Sequence, residues 1–194
     1  MTPTMSTTRR AALALAFTGG LTAAATTAEA DGTFFQLDLA SETSDVVFAG
    51  TRGKFSYGAN YSSYDSGWNA GLQVTRDFVF PDVATVKVGP SLGITDDDDV
   101  DLGLKIIVER YAPTEFGFVF LSGQYNTIQN DWFALAQFGN GKGVSIDLTA
   151  GGSDTYSEQS AALNYRLGTG PTSLRAGYRF DAQEVFVGFS VNTY

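Results

Sequence analysis

The sequence contains no cysteine and no histidine, and its basic residues are few. Without cysteine no disulfide can hold the fold together, so an exported chain of this kind depends on a large core or on closed backbone hydrogen bonding. Histidine is the side chain most often used as a general base near neutral pH, and its absence argues against catalysis. We therefore predict a protein that is not an enzyme and carries no cofactor.

Basic residues are also scarce in this sequence. The 194 residues include 12 Lys and Arg against 21 Asp and Glu, a net charge of −9. Because binding to phosphate backbones requires a basic surface, this balance excludes nucleic acid as a partner. The length suits one domain.

Residues 1–30 have the features of a cleaved secretory signal peptide. Arg9 and Arg10 supply positive charge, residues 11–17 are apolar, and Ala28 and Ala30 are the small residues that a signal peptidase reads. The apolar run is shorter than the roughly 20 residues of a spanning helix. We predict export by the general secretory route, cleavage before Asp31, and one domain over residues 31–194.

Apolar and polar residues alternate throughout the predicted domain, as in Leu102 to Val108, where each second residue is polar or small. No helix-length apolar run follows residue 30, so any membrane crossing must use strands. The predicted strands are 33–40, 45–51, 54–63, 67–76, 83–94, 101–111, 115–125, 131–139, 143–151, 156–167, 172–180 and 184–193, with the weakest pattern in 45–51. This predicts an all-β fold, a closed antiparallel up-and-down transmembrane β-barrel of about 12 strands, within a range of 8–12.

Charges and aromatic residues are distributed as such a barrel requires. Every second predicted turn is acidic, for example residues 96–99, whereas the intervening turns hold most of the basic residues, such as Lys142. Aromatic residues gather near strand ends, with Trp68 and Trp132 at the acidic end and Phe138 at the other. Two aromatic belts are typical of a barrel that crosses a lipid bilayer.

Two stretches carry a resemblance to a known family: residues 57–65 (YGANYSSYD) and 186–194 (FVGFSVNTY). In these the chain resembles the outer-membrane β-barrel proteins of Gram-negative bacteria and is porin-like in texture. The resemblance implies an outer-membrane location, contact with membrane lipid and lipopolysaccharide, and help from the barrel-assembly machinery, whose signal the terminal Tyr194 is similar to. Tyr194 is out of phase with the apolar residues of the last strand, which predicts a bulge there.

The polar face of the predicted strands carries charges of both signs. The residues that we expect to line the lumen are Lys87, Lys105, Glu109, Asp147, Glu158, Arg166, Arg175 and Arg179, and we also place Asp38, Lys54, Glu115 and Glu184 on this face. One hypothesis is a water-filled pore with a basic wall of Arg166, Arg175 and Arg179. The alternative is a lumen closed by salt bridges.

The acidic run of residues 96–101 permits three interpretations. Its carboxylates Asp96, Asp97, Asp98, Asp99 and Asp101 are the ligand type that hard divalent cations prefer, so a weak cation site is one. A solvated hairpin tip is the second, because runs of like charge are usually just exposed. The third is loose cation bridging to the phosphates of lipopolysaccharide.

Among functions, a small porin-like outer-membrane channel for passive diffusion of small hydrophilic solutes fits the inward charge and the absence of a long plugging loop. The alternative is a non-conducting structural or surface-interaction barrel. A soluble exported β-protein is the third hypothesis. The oligomeric state is not determined by these patterns.

Overall fold

The computed structural model describes residues 31–97 and 99–194, so the predicted signal peptide lies outside the described residues. Its strands are β1 Gly32–Leu39, β2 Ser44–Arg52, β3 Phe55–Tyr64, β4 Gly67–Phe80, β5 Ala84–Thr95, β6 Val100–Thr114, β7 Gly117–Asn126, β8 Trp132–Gly139, β9 Val144–Gly152, β10 Ser157–Arg166, β11 Thr172–Arg179 and β12 Glu184–Asn192. A single 3₁₀ turn, Ile128–Asn130, joins β7 to β8. In this part of the chain no helix is both long and apolar enough to cross a membrane.

Each strand pairs antiparallel with its sequence neighbours, and β12 returns to β1 to close the barrel. The closing pair is in regular register, with Phe35 opposite Val191 and Leu37 opposite Phe189. Closure satisfies the backbone groups of every strand and leaves no free sheet edge. The predicted all-β, closed, up-and-down barrel of twelve strands is confirmed, including the weakly patterned second strand.

The meander places alternate connections at opposite ends. Loops 40–43, 65–66, 96–99, 127–131, 153–156 and 180–183 lie together at what we call the loop end. Turns 53–54, 81–83, 115–116, 140–143 and 167–171 lie at the turn end, beside Gly32 of β1 and Asn192 of β12. The two ends therefore differ in sequence, and charge can be compared between them.

The barrel is apolar outside and polar inside. Outward side chains such as Leu72, Leu104 and Val187 are 49%, 60% and 58% exposed. Buried side chains are mostly polar or charged, among them Ser56, Ser91, Asp147 and Arg175. A soluble protein has the opposite distribution, whereas a membrane barrel exposes an apolar band around its outside. The arrangement therefore disfavours a soluble exported β-protein.

The C-terminal residue turns towards the inside of the barrel. The register of β12 runs without interruption to Asn192 on β1 and to Val191 on β11, so the expected bulge is absent from this strand. Beyond it, the Tyr194 ring lies against Gly32, where any side chain would collide with it. The Tyr194 hydroxyl is 3.0 Å from Oγ1 of Thr51. Tyr194 is out of phase with the apolar residues of β12 because its ring faces inward and covers the inner side of the turn end.

Candidate functional site: the charged interior of the barrel

One buried group of inward charges surrounds Arg175 on β11. Its Nε donates to Oδ1 of Asp38 at 2.9 Å, and its Nη1 donates to Oδ2 of Asp147 at 2.7 Å and to Oδ1 of Asn164 at 2.8 Å. We call Arg175, Asp38, Asp147 and Asn164 the Arg175 cluster. Arg175 is 8% exposed and the two carboxylates 4% each, so the cluster is shut off from water.

Two glutamines donate further hydrogen bonds to the carboxylates of this cluster. Nε2 of Gln36 donates to Asp38 at 2.8 Å, and Nε2 of Gln137 donates to Asp147 at 2.7 Å. Buried charges are tolerated when they are paired and hydrogen-bonded in this way. Each carboxylate thus has a cationic and a neutral donor.

A second group surrounds Arg179, four residues further towards the loop end on the same strand. Its guanidinium pairs with Asp45 on β2 and, at 3.4 Å, with Glu184 on β12. Glu184 also accepts hydrogen bonds from the loop 40–43, including the backbone N–H of Glu42 at 2.6 Å. We call Arg179, Asp45 and Glu184 the Arg179 cluster.

Phe186 joins the two clusters. Its ring centroid lies 6.0 Å from the guanidinium carbon of Arg175 and 5.2 Å from that of Arg179. The ring is 2% exposed and presents its face to cations that are already paired. Both clusters therefore form one dense layer on the inner wall of β9 to β2.

This layer requires a strongly curved wall. Asp147 on β9 and Asp38 on β1 are separated by three intervening strands, yet both bind Arg175. Adjacent strands are about 4.8 Å apart, so one side chain can reach both partners only where the sheet bends sharply. The clusters fill this bend and leave the remaining interior to β3–β8.

The opposite wall carries smaller groups. Lys87 on β5 pairs with Glu109 on β6, with 2.8 Å between Nζ and Oε2. Asp77 on β4 is the register partner of Lys87, and its Oδ2 accepts a 2.6 Å hydrogen bond from Ser56. Lys87 therefore lies between two carboxylate-bearing strands.

The remaining predicted residues lie apart from one another. Lys105 is half-buried on the inward side of β6, Glu158 accepts from the backbone N–H of Asp181 and Ala182 at 3.1 and 3.0 Å, and Arg166 is exposed at the turn end of β10. The expected wall of three arginines is not formed, because Arg166 lies at the strand end while Arg175 and Arg179 are buried among carboxylates. Lys54 and Glu115 lie in exposed turns rather than on the inward face.

The loop 127–131 supplies a residue that the sequence pattern did not indicate. The side chain of Ile128 lies over Gly93 and Gly103, on the inner side of β5 and β6. Thr127 fixes the loop there: its N–H donates to the Leu104 carbonyl at 3.0 Å, and its Oγ1 accepts from the Leu104 N–H at 2.9 Å. The two glycines leave the space that Ile128 occupies, so an apolar side chain borders the loop end.

Asp131 is the last residue of this loop. Burial raises the pKa of the Asp131 carboxyl, and the positive charge of Lys105 opposes part of that rise. The acidic run of residues 96–101 does not form a metal centre among the residues described: within 31–97 and 99–194, no three Asp or Glu residues are arranged to hold an ion. Asp98 lies outside those residues, so the predicted weak cation site remains a prediction.

Comparison with known proteins shows a likeness of fold. No family model matches the sequence, and no curated protein matches it. The barrel is similar to the solved structure of KdgM porin, with a TM-score of 0.57, 10% identity, and coverage of 84% of this chain and 99% of the porin. It is likewise similar to KdgM porin in complex with disordered oligogalacturonate, with a TM-score of 0.55, 11% identity and the same coverage. The chain therefore has the barrel fold of a porin.

Proposed function

We propose that this protein is a small porin-like channel of a Gram-negative outer membrane, which admits small hydrophilic solutes by passive diffusion and catalyses no reaction. Three features support the proposal: a closed barrel, an apolar exterior, and an interior that is densely ion-paired along β9 to β2 and exposed to water at β3. The fold that it shares with a porin agrees with it.

The observation that carries the proposal is the position of Asn60. It lies in the middle of β3, opposite Gly71, and by strand alternation it points inward with Ser56. Nevertheless it is exposed, whereas Ala162 on the inner face of β10 is 4% exposed. Water therefore reaches the mid-barrel wall at β3, the wall that the charged clusters do not occupy.

Glycines on the inner side of β3 and β4 reduce the volume of side chains on that wall. Asn60 lies over Gly71, and Gln73 lies over Gly58, where added side chains would collide with them. A barrel of eight strands is filled by its own side chains, and twelve strands enclose more space. Because Asn60 and Gln73 lie directly over glycines, they stay close to the wall, and more of the lumen on this side is left to solvent.

The Arg175 cluster favours a second candidate, the non-conducting structural barrel. If the ion-paired layer extended across the whole lumen, the barrel would stabilise the membrane or bind at its surface without passing solute. The exposure of Asn60 favours conduction.

The sequence features outside the described residues complete the proposal. Cleavage of residues 1–30 before Asp31, export by the general secretory route, insertion by the barrel-assembly machinery, and contact with outer-membrane lipid and lipopolysaccharide all follow from an outer-membrane channel. Mass spectrometry of the protein from an outer-membrane fraction should give an N-terminal Asp31. A mature chain that retains Arg9 and Arg10 would contradict this part.

Oligogalacturonate, the sugar acid found with the structural neighbour, is not carried over at 11% identity. We propose only small hydrophilic solutes for the present channel. A liposome-swelling assay with neutral sugars of increasing size tests this: swelling should be faster than in protein-free liposomes and should slow as the sugar grows. Asn60→Trp should slow it further, whereas the outward Ala70→Trp should not. No swelling with any solute would leave the structural barrel as the function.

A further inference from the structure

We propose that the channel is selective for cations and small cationic solutes, and that carboxylates at the loop end set this selectivity. The inference rests on the proposed channel function and adds the solute class. It follows from how charges are paired inside the barrel and how they are distributed between its two ends.

The inward arginines do not provide a positive wall. Arg175 is bound by two carboxylates, Asp38 and Asp147, and Arg179 is bound by Asp45 and Glu184. Each cluster therefore carries one more negative than positive charge. Buried guanidinium groups that are already paired with carboxylates are poor binding points for passing anions, because their charge is neutralised and their donors are engaged.

The lysines on the opposite wall also lie close to carboxylates. Lys87 pairs with Glu109 and has Asp77 as its register partner. Lys105 is the next inward basic residue, and Asp131 is close enough to act on its charge. The interior of the described strands is thus negative in sum, although its basic residues are numerous.

The two ends of the barrel differ in charge, and the loop end is the negative one. Among the described residues, every charged side chain in the loops of the loop end is a carboxylate: Glu42, Asp65, Asp96, Asp97, Asp99, Asp131, Asp154 and Asp181. The turns of the turn end hold Lys54 and Lys142 beside Asp82 and Glu115, which cancel. A mouth lined by one sign of charge raises the local concentration of counter-ions and lowers that of co-ions.

Two of the loop-end carboxylates stand over the water-accessible wall. Asp65 is exposed in the loop that joins β3 to β4, and Asp101 is exposed on the inward side at the start of β6. Both lie on the side of the barrel where Asn60 meets water. A cation that moves through this side passes the acidic mouth and then, among the described residues, the Lys87–Glu109 ion pair and the single inward Lys105 near Asp131.

The test is the reversal potential of the purified mature chain in planar bilayers under a KCl gradient. The expected potassium-to-chloride permeability ratio is above one at physiological salt. It should fall towards one in 1 M salt, where the Debye length shrinks from about 8 Å to about 3 Å. The double variant Asp65→Asn with Asp101→Asn should lower the ratio, and Asp82→Asn with Glu115→Gln should change it less.

Heat-modifiable gel mobility shows that each variant is still a folded barrel. A conducting wild-type channel that prefers chloride overturns the inference and leaves the proposed channel intact. Equal effects of the two double variants also overturn it, because the selectivity would then not belong to the loop end. A folded, inserted wild-type barrel without conductance overturns the channel and this inference together.

Discussion

Asp38 on β1 and Arg175 on β11 form an ion pair that crosses β12, with 2.9 Å between Oδ1 and Nε. The pair spans the seam where the last strand meets the first, so it braces the closing contact from inside. Through Asp147 the same guanidinium also reaches β9. Five consecutive strands around the ring, β9 to β1, are therefore held by one side chain and the hydrogen bonds between strands.

We predict that Arg175→Ala strongly destabilises the barrel. It leaves Asp38 and Asp147 buried without a cation, and removing one partner of a buried pair costs about 3–5 kcal/mol. Urea unfolding in detergent micelles measures the change. Arg166→Ala is the matched control, because Arg166 is exposed at a strand end and should cost less than 1 kcal/mol, as for exposed ion-pair residues.

A triple variant separates charge from packing. Arg175→Met with Asp38→Asn and Asp147→Asn removes the cation together with both charges, and should recover most of the stability that Arg175→Ala loses. If Arg175→Ala proved as stable as Arg166→Ala, the cluster would not brace the seam.

The twelve strands were predictable because alternation along the chain is a local property. The inward side of Lys87, Asp147 and Arg175 followed from the same period of two. Their partners did not follow: Asp38 and Arg175 are 137 residues apart and meet only through barrel closure and curvature. Alternation alone also cannot show that Arg166 lies beyond the packed layer and Arg175 within it.

Ile128 was missed for a different reason. It is one apolar residue in a polar connection, and nothing in its neighbours shows that it folds inward. The signal was in other strands, where Gly93 and Gly103 leave the inner wall without side chains. Only the register of β5, β6 and β7 brings those glycines to the loop.

Lipid-facing and lumen-facing positions should respond differently to charge. We expect Leu72→Arg, on the outward side of β4, to lower the free energy of unfolding by about 2–4 kcal/mol if the site lies near the bilayer midplane. Asn60→Arg, on the adjacent strand and facing water, should cost much less. Unfolding in lipid vesicles measures both, and equal costs would mean that the two faces are wrongly assigned.

Ile128 should restrict the loop-end mouth. Ile128→Ala removes its apolar side chain beyond the β-carbon and should raise the single-channel conductance, whereas Ile128→Trp should lower it. Val100→Ala is the control, since Val100 is an exposed outward residue at the same end. Unchanged conductance in both Ile128 variants would place the narrowest point elsewhere.

Cation preference should weaken in acid. Carboxylates ordinarily become neutral near pH 4, and neutral groups no longer attract cations, so the potassium-to-chloride ratio should fall as the pH drops from 7 to 4. Because burial raises the pKa of Asp131, this carboxylate should become neutral at a higher pH than the exposed carboxylates, and the decline should begin there. Asp131→Asn should remove this early part, and a ratio independent of pH would contradict a carboxylate mouth.

Water enters the lumen along β3 and not along the charged layer of β9 to β2, and thiol labelling tests this directly. Because the chain has no cysteine, single-cysteine variants can be labelled with a membrane-impermeant thiol reagent in proteoliposomes. Asn60→Cys should react rapidly, whereas Ala162→Cys, buried inward, and Ala59→Cys, facing outward, should react slowly or not at all. Protection of all three cysteines would contradict an open lumen, and rapid labelling of Ala162→Cys would contradict a closed charged layer.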